Sequence, residues 1–333
     1  MKLELKLFNL LAEKNSSLNE INDVLSQGVD INFVNDEGLT PLLQLTKSGH
    51  LRNDLMDVIQ LFLTQDGIDI NCKDPEGWNA LYYLCRLYQK NNFVDIVRLL
   101  IDHGIDVTWK NKLGQNALLI LCLHYPNKNL LDIARLFIDN GIDIHCQDKD
   151  GWNALFFLCI NQFNGNVIDL IRLLIDHEID VNFKNQNGQG WNVLHCLCKN
   201  SKNINIIDIV RILIEAGIDI NCINNDGWNA LHILCRHYAG ENLDNVVQLF
   251  IDNGIEINCK CYGGSGWNSL YILCNYNSSI KLIDTLRLLI QAGINTNCHR
   301  KIIHSPQSLV RNNYKQGNVE DVIELLNQNT KPV

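Results

Sequence analysis

The sequence predicts an all-α repeat solenoid, and three observations carry that prediction. Cys85, Cys122, Cys159, Cys198, Cys235 and Cys274 recur at intervals of 37, 37, 39, 37 and 39 residues. A second series, Cys72, Cys146, Cys222, Cys259 and Cys298, keeps the same beat with gaps. The phrase Gly67-Ile68-Asp69-Ile70-Asn71 returns at Gly104, Gly141 and Gly217, Gly28, Gly254 and Gly293 open further copies, and Glu178 replaces the glycine in one. Likewise Gly-Trp-Asn-Ala-Leu recurs at Gly77, Gly151 and Gly227, with variants at Gly38, Gly114, Gly190 and Gly266. A period of this length marks supersecondary units stacked on one another. The two domains that 333 residues would ordinarily suggest therefore give way to one repeat array over 1–333.

Taken in order, residues 3–27 predict a first helix pair with a polar outward face, and Ser17-Leu18-Asn19-Glu20 reads as a capping box. Asn79 to His103 then shows a typical unit. Asn79 is a good N-cap, and Leu81, Leu84 and Cys85 at helical spacing give a first helix one apolar face. The polar break Gln89-Lys90-Asn91-Asn92 precedes the apolar second helix Val94–Ile101, which Gly104 closes as a residue able to turn left-handed. Alternating Ile-Asp-Ile-Asn-Cys-Lys and the turn Asp74-Pro75-Glu76-Gly77 predict a hairpin-like loop between units. At the far end, Ser305-Pro306 begins a degenerate first helix and Val319–Asn327 a charged last one. About nine helix pairs result: a capping repeat at 1–35, central repeats over 36–298 and a second cap at 299–333. Solenoids need such polar ends because each repeat buries apolar surface only against its neighbours. The chain reads as a complete, stand-alone solenoid.

On these residues the chain resembles the ankyrin-repeat family. Asp36-Glu37-Gly38-Leu39-Thr40-Pro41-Leu42 matches the family's opening phrase almost letter for letter, and Leu194-His195 and Leu231-His232 keep its Leu-His pair. Departures are regular: Asn-Ala replaces Thr-Pro elsewhere, Ile follows the helix-ending glycine, and the stretch from Cys85 to Asp95 is about one helical turn longer than the family's, a distance repeated from Cys122, Cys159, Cys198 and Cys274. The resemblance implies a non-catalytic scaffold that binds partner proteins through a concave groove.

It also implies where that groove lies. Trp78, Trp152, Trp191, Trp228 and Trp267 follow the hairpin glycine, a variable position on the family's ligand-binding side; Leu39 and Gln115 interrupt the series. Arg86, Tyr88, His124, Tyr125, Arg236, His237 and Tyr238 lie near the first helix's end, where the family makes partner contacts. Tyr82, Phe156, His195, His232 and Tyr271 occupy the position that bonds the neighbouring loop, and Trp109, at the Cys72-equivalent site, reads as structural. Asn71, Asn182, Asn221, Asn258 and Asn297 look like the residues that intracellular asparaginyl hydroxylases modify in ankyrin repeats, although asparagine is also a turn former.

Other chemistry is thinly supported. The cysteines read as small hydrophobes between stacked helices. Neighbouring helices lie roughly 8–10 Å apart and disulfide geometry needs Cα atoms within about 7 Å, so a ladder of bridges is not expected. Cys196 and Cys198 point about 200° apart on a helix. Cys259-Lys260-Cys261 would need Cys298, His299 and His304 to complete a zinc site. Tyr262–Gly266 and Asn187–Gly190 lack the Lys-Ser/Thr ending of a phosphate loop and read as insertions. On the second helices Asp95-Arg98-Asp102 and its copies at Asp132, Asp169 and Asp208 set acid, arginine and acid on one face, pairs worth roughly a few tenths of a kcal/mol each, and read as a solvated outer face. No catalytic set, metal or cofactor is predicted.

Composition bounds the rest. A hydrophobic fraction of 46% and mean hydropathy of −0.06 fit a soluble folded chain. With 28 Lys+Arg against 37 Asp+Glu, the net charge of −9 argues against a nucleic-acid partner unless charge is sharply segregated. No apolar run reaches the roughly 20 residues of a membrane span, and Glu4 and Lys6 in the first apolar run argue against a signal peptide. The expectation is a cytoplasmic or nuclear monomer binding a protein partner. Two alternatives are an effector or inhibitor that blocks a target by occupancy, and a structural spacer or self-associating element.

Overall fold

The computed structural model describes residues 2–124, 129–160, 167–186, 189–200, 206–238, 240–261, 266–277, 279, 281–297, 305–314 and 318–329. Among these residues the chain forms eighteen α-helices, one short 3-10 turn and no strand. They fall into nine pairs: Lys2–Ala12 (α1) with Leu18–Leu25 (α2), Pro41–Ser48 (α3) with Leu55–Leu63 (α4), Ala80–Leu87 (α5) with Phe93–Asp102 (α6), and Ala117–His124 (α7) with Leu130–Asp139 (α8). Then follow Ala154–Ile160 (α9) with Val167–Asp176 (α10), Val193–Lys199 (α11) with Ile206–Glu215 (α12), and Ala230–His237 (α13) with Leu243–Asp252 (α14). Ser269–Tyr276 (α15) with Leu282–Gln291 (α16), and Pro306–Asn313 (α17) with Val319–Asn329 (α18), complete the set. The expected all-α solenoid is the observed fold.

Contacts group the helices into two units, one running from the N-terminus to His177 and one from Glu178 onward, with the end of α9 assigned to the second. Within the first, α1, α3, α5 and α7 pack in succession, as do α6, α8 and α10. Within the second, α11, α13, α15 and α17 form one row and α12, α14, α16 and α18 the other. The first-helix rows bury leucine and cysteine and the second-helix rows leucine, isoleucine and valine; Leu81, Leu84, Leu100, Leu234 and Leu273 are completely buried.

Polar links between successive loops are as regular as the apolar core. Asp74 Oδ1 accepts from the backbone N–H of Glu76 (2.9 Å) and Trp78 (2.8 Å), closing the tip by a side-chain-capped turn rather than by a strand ladder. The alternating apolar–polar phrase therefore builds tight turns, not the paired strands that its period suggests. Lys112 N–H donates to Glu76 O at 3.1 Å, tying one tip to the next. Gly77 makes that approach possible: its φ is +81°, and a Cβ there would sit 3.3 Å from Asn111 Cα and Lys112 N. One loop further back, Asn71 Nδ2 donates to Gly104 O (3.0 Å) and its Oδ1 accepts from Asp106 N–H (2.7 Å). Asn32, Asn182, Asn221 and Asn258 make the same two-bond staple to the following loop.

The structure also gives physical reasons for the departures. Asn replaces Thr at the N-cap because its amide has two ends. In Asn116, Oδ1 caps the helix by accepting from Leu119 N–H at 3.1 Å, while Nδ2 donates to Asp143 O of the next loop at 2.7 Å. Asn229 and Asn268 repeat the arrangement, whereas Thr40 caps Leu43 N–H at 3.3 Å and meets Cys72 Sγ of the next loop at 3.0 Å. The extra length after Cys85 is taken up by Tyr88, whose buried ring meets Phe93 edge-on at 5.8 Å and whose hydroxyl donates to Asn92 Oδ1 at 2.7 Å. The expected Ser17–Glu20 capping box is present, with both bonds formed. The solvated outer face expected of the second helices is what the structure has: among the described residues none of the four acid–Arg–acid sets closes an ion pair, and only the related Arg287 reaches Asp284, at 3.9 Å.

Arg52 carries a structural role that its sequence position does not announce. Its guanidinium is fully buried, donates to the carbonyls of Glu13 (3.1 Å) and Ser16 (2.9 Å) and grips Asp54 with two bonds of 3.0 and 2.8 Å. It thus satisfies carbonyls left over beyond the end of α1, and the fork geometry of arginine suits the task. Lys90 extends the link by bonding Arg52 O and Asn53 Oδ1 from the loop of the following repeat.

Candidate interaction face

The tryptophan row is built from the hairpin tips upward. In the first four members the backbone N–H is held by the Asx residue of the tip: Trp78 by Asp74 (2.8 Å), Trp152 by Asp148 (2.9 Å), Trp191 by Asn185 (2.9 Å) and Trp228 by Asn224 (2.8 Å). Each indole then lies against the ring four residues on, in the first turn of the first helix. Ring centroids are separated by 6.0 Å for Trp78–Tyr82, 5.0 Å for Trp152–Phe156 and 6.0 Å for Trp191–His195. The corresponding values are 5.9 Å for Trp228–His232 and 6.2 Å for Trp267–Tyr271. All five indoles are half-buried, which leaves one side of each accessible.

Cations cover several of these rings eight residues downstream, two helical turns along the same face. Arg86 stands 4.8 Å from the Trp78 ring, Lys199 4.9 Å from Trp191 and Arg236 5.3 Å from Trp228. Arg236 also lies 4.6 Å from Tyr276, whose ring meets Trp267 at 6.4 Å. Sequence reasoning singled out Arg86 and Arg236 but missed Lys199 and Tyr276; the eight-residue spacing from each Trp was the signal that would have found Lys199. In the second unit, Trp191, Trp228, Ile233, Arg236, His237 and Asp226 line a cleft of about 350 Å³. Partial burial, then Arg236 and Lys199, push the His237 imidazole below its ordinary range. Near Trp78, burial and Arg86 act likewise on His124.

Two of the expected surface residues leave this face. Tyr88 and Tyr238 are buried, because each caps the C-terminus of its helix and turns its ring inward beneath the loop. Neither ring can meet a partner. Tyr125 lies outside the described residues. A second concavity, about 440 Å³ and lined by Leu5, Phe8 and Phe33 with Asp36 and Glu37, lies beside α1. Leu5 and Val34 are 61% and 55% exposed there, so the first pair's outward side is less polar than expected.

The remaining candidates are structural in their contacts. Tyr82 and Tyr271 donate their hydroxyls to loop carbonyls, Tyr82 to Trp109 O (3.1 Å) and Gln115 O, and Tyr271 to Thr296 O (3.0 Å). His195 bonds Trp228 O at 2.8 Å through Nε2 and Asn192 Oδ1 at 2.6 Å through Nδ1. Burial lowers the imidazoles of His195 and His232 to about 4, so both are neutral near pH 7. Trp109 donates its indole N–H to Gly77 O at 2.8 Å, with Lys73 3.2 Å from its ring. Cys146 uses the same register to donate to Gly114 O at 3.2 Å. Of the asparagines that resemble hydroxylation sites, Asn71, Asn182, Asn221 and Asn258 have both ends of the amide engaged in the inter-loop staple described above. Asn297 bonds Asn295 Oδ1 through its backbone at 2.8 Å.

Reactive chemistry finds little footing in the described residues. The described cysteines are free, and burial raises Cys72 to about 11 and Cys159 and Cys274 to about 12, away from the thiolate form. Among the described residues no group of three or more His, Cys, Asp or Glu is placed to hold a metal. Cys298, His299 and His304 of the zinc reading lie outside them, as do Tyr262–Ser265 and Asn187–Gly188 of the glycine-rich turns. No helix among the described residues is long and apolar enough to cross a membrane. The family model for ankyrin repeats matches the chain in overlapping segments, over residues 8–111, 51–145, 119–224 and 201–300. No curated protein matches it.

Proposed function

The chain belongs to the ankyrin-repeat family, and on that premise we propose that it is a non-catalytic adaptor that binds partner proteins along its tryptophan-lined face. Ankyrin repeats generally mediate protein–protein interaction, which sets the class of function. The observation that carries the location is the indole row: five tryptophans share one register and stay half-buried, while the leucines two or three residues further along are sealed in the core. Tryptophan and arginine are the residue types most enriched where binding energy concentrates. Within each unit the indoles are held by their neighbouring rings and tips, so little side-chain entropy is lost on association. The protein works inside the cell as a monomer, and occupancy of the face, not turnover, is its output.

Affinity capture from cell extract with the full-length protein, followed by identification of bound polypeptides, tests the reading. Wild type is expected to retain a defined partner that the Trp152→Ala/Trp228→Ala variant loses. Retention of the same partner by a folded double variant would move the binding site elsewhere.

A further inference from the structure

The cleft in the second unit is bordered by a first helix, and the first helices differ in charge from the second helices. The first helices from α3 to α17 contain no Asp or Glu, and their fixed charges are all Lys or Arg. The second helices are acid-rich: each from α4 to α16 carries an acid in its first turn, α6, α8, α10, α12 and α14 end in Asp or Glu, and α6, α8, α10, α12 and α16 hold one Arg each. The helix dipole favours cations at every C-terminus, so it accounts for Lys199 and Arg236 but not for the acids ending the second helices. Segregation by face is the feature that needs another cause.

Lys199 and Arg236 are exposed and, among the described residues, have no carboxylate within 4.0 Å, whereas Lys47, Lys110, Lys281 and Arg52 each do. Arg236 lines the cleft with the half-buried Trp191 and Trp228, and Lys199 stands 4.9 Å from the Trp191 ring. We infer that this cleft takes an acidic, aliphatic-containing segment of a partner polypeptide, its carboxylates meeting Lys199 and Arg236 and its apolar side chains covering the two indoles. This deepens the adaptor reading and rests on it. The two cations come from adjacent repeats, on the order of 10 Å apart by helix-packing distance. An extended peptide covers that in about three residues, so the favoured pattern is acid-x-x-acid with an apolar residue between. Asp226 on the cleft rim is exposed and would repel a continuous phosphate backbone, which favours a peptide with spaced charges over nucleic acid.

The test is an array of random-sequence peptides probed with the full-length protein, alongside an oligothymidylate titration. Wild type should select peptides with two carboxylates three residues apart. Lys199→Glu/Arg236→Glu should bind those peptides at least about tenfold more weakly, as expected for the loss of close charge pairs. Melting followed by circular dichroism checks that the variant is folded, with Lys199→Gln/Arg236→Gln used if it is not. Selection of neutral or basic peptides that depends on Trp228 would overturn the acidic partner yet leave the adaptor face standing. No peptide bound above background would remove both. Tighter binding of oligothymidylate than of every peptide would overturn the choice of polypeptide.

Discussion

His195 and His232 show what the space between first helices does to a titratable side chain. Each fills the site where Tyr82 and Tyr271 stand in other repeats, and burial lowers its folded-state value to about 4 from an ordinary 6.5. On acidification the unfolded chain therefore takes up these protons first. Stability is undiminished above pH 6.5, falls as the pH drops from 6.5 to about 4, and levels off below it for these two groups. Urea denaturation at a series of pH values should show a loss of up to about 3 kcal/mol per histidine across that window. His195→Tyr/His232→Tyr should flatten it, because a tyrosine hydroxyl makes the same loop contact without titrating near neutrality. An equally steep decline in the double variant would assign the effect to other groups. Residues at this scale divide by how much their surroundings decide. The N-cap Asn79 and the capping box of Ser17 were legible because their partners are three residues away. Tyr88 and Tyr238 were not: position put them at the groove end of a helix, and only the longer loop, folding back over them, made them interior. Arg52 was hidden for the same reason, since its partners Glu13 and Ser16 lie in another repeat.

At the scale of elements, each second helix from α2 to α16 is followed by a left-handed residue, a glycine in every case but one, and that exception is informative. Glu178 holds φ at +63° after α10, the position that Gly104 and Gly217 occupy elsewhere. A side chain in that region is strained, so Glu178→Gly should stabilise the protein by about 1 kcal/mol in equilibrium unfolding, with relief of strain outweighing the added freedom of the unfolded chain. An unchanged or lowered midpoint would mean that the Glu178 side chain contributes more than its backbone loses. Helix identity and order were fully legible, because a repeat shows the same apolar period many times over. The tips were legible as turns but not as to what closes them. A phrase such as Ile-Asp-Ile-Asn alternates like a strand, yet Asp and Asn bond their own backbone and the next loop, and those local bonds outcompete a ladder. The acid–Arg–acid spacing was legible as a solvated face: residues three apart are neighbours on a helix, but long exposed side chains gain too little from pairing to be held in contact.

For the whole molecule, the cysteine count and the net charge are both consequences of repetition. One cysteine position between stacked helices is filled in six repeats and one loop position in five, and Cys196 and Cys261 bring the thiols to thirteen. All thirteen should react with an alkylating reagent in denaturant without reductant, read by intact mass, while in the native state Cys259, half-exposed, should lead the buried ones. A mass shift short of thirteen labels would reveal a disulfide. The charge of −9 conceals an acidic set of second helices and a basic set of first helices. Composition alone pointed away from nucleic acid but not to an acidic peptide, because the average hides how charge divides between first and second helices.

The central claim is that the tryptophans serve binding while the leucines beneath them serve stability. Urea unfolding of Trp152→Ala and Leu100→Ala, paired with titration of the captured partner, tests it most directly. Leu100, completely buried, should cost about 2–5 kcal/mol of stability when cut to alanine. Trp152, half-buried against Phe156, should cost no more than about 1.5 kcal/mol of stability, the scale of an aromatic pair, and should weaken the partner by about 2 kcal/mol or more. Unfolding of Trp152→Ala as severe as that of Leu100→Ala would make the indole row part of the core and contradict the account.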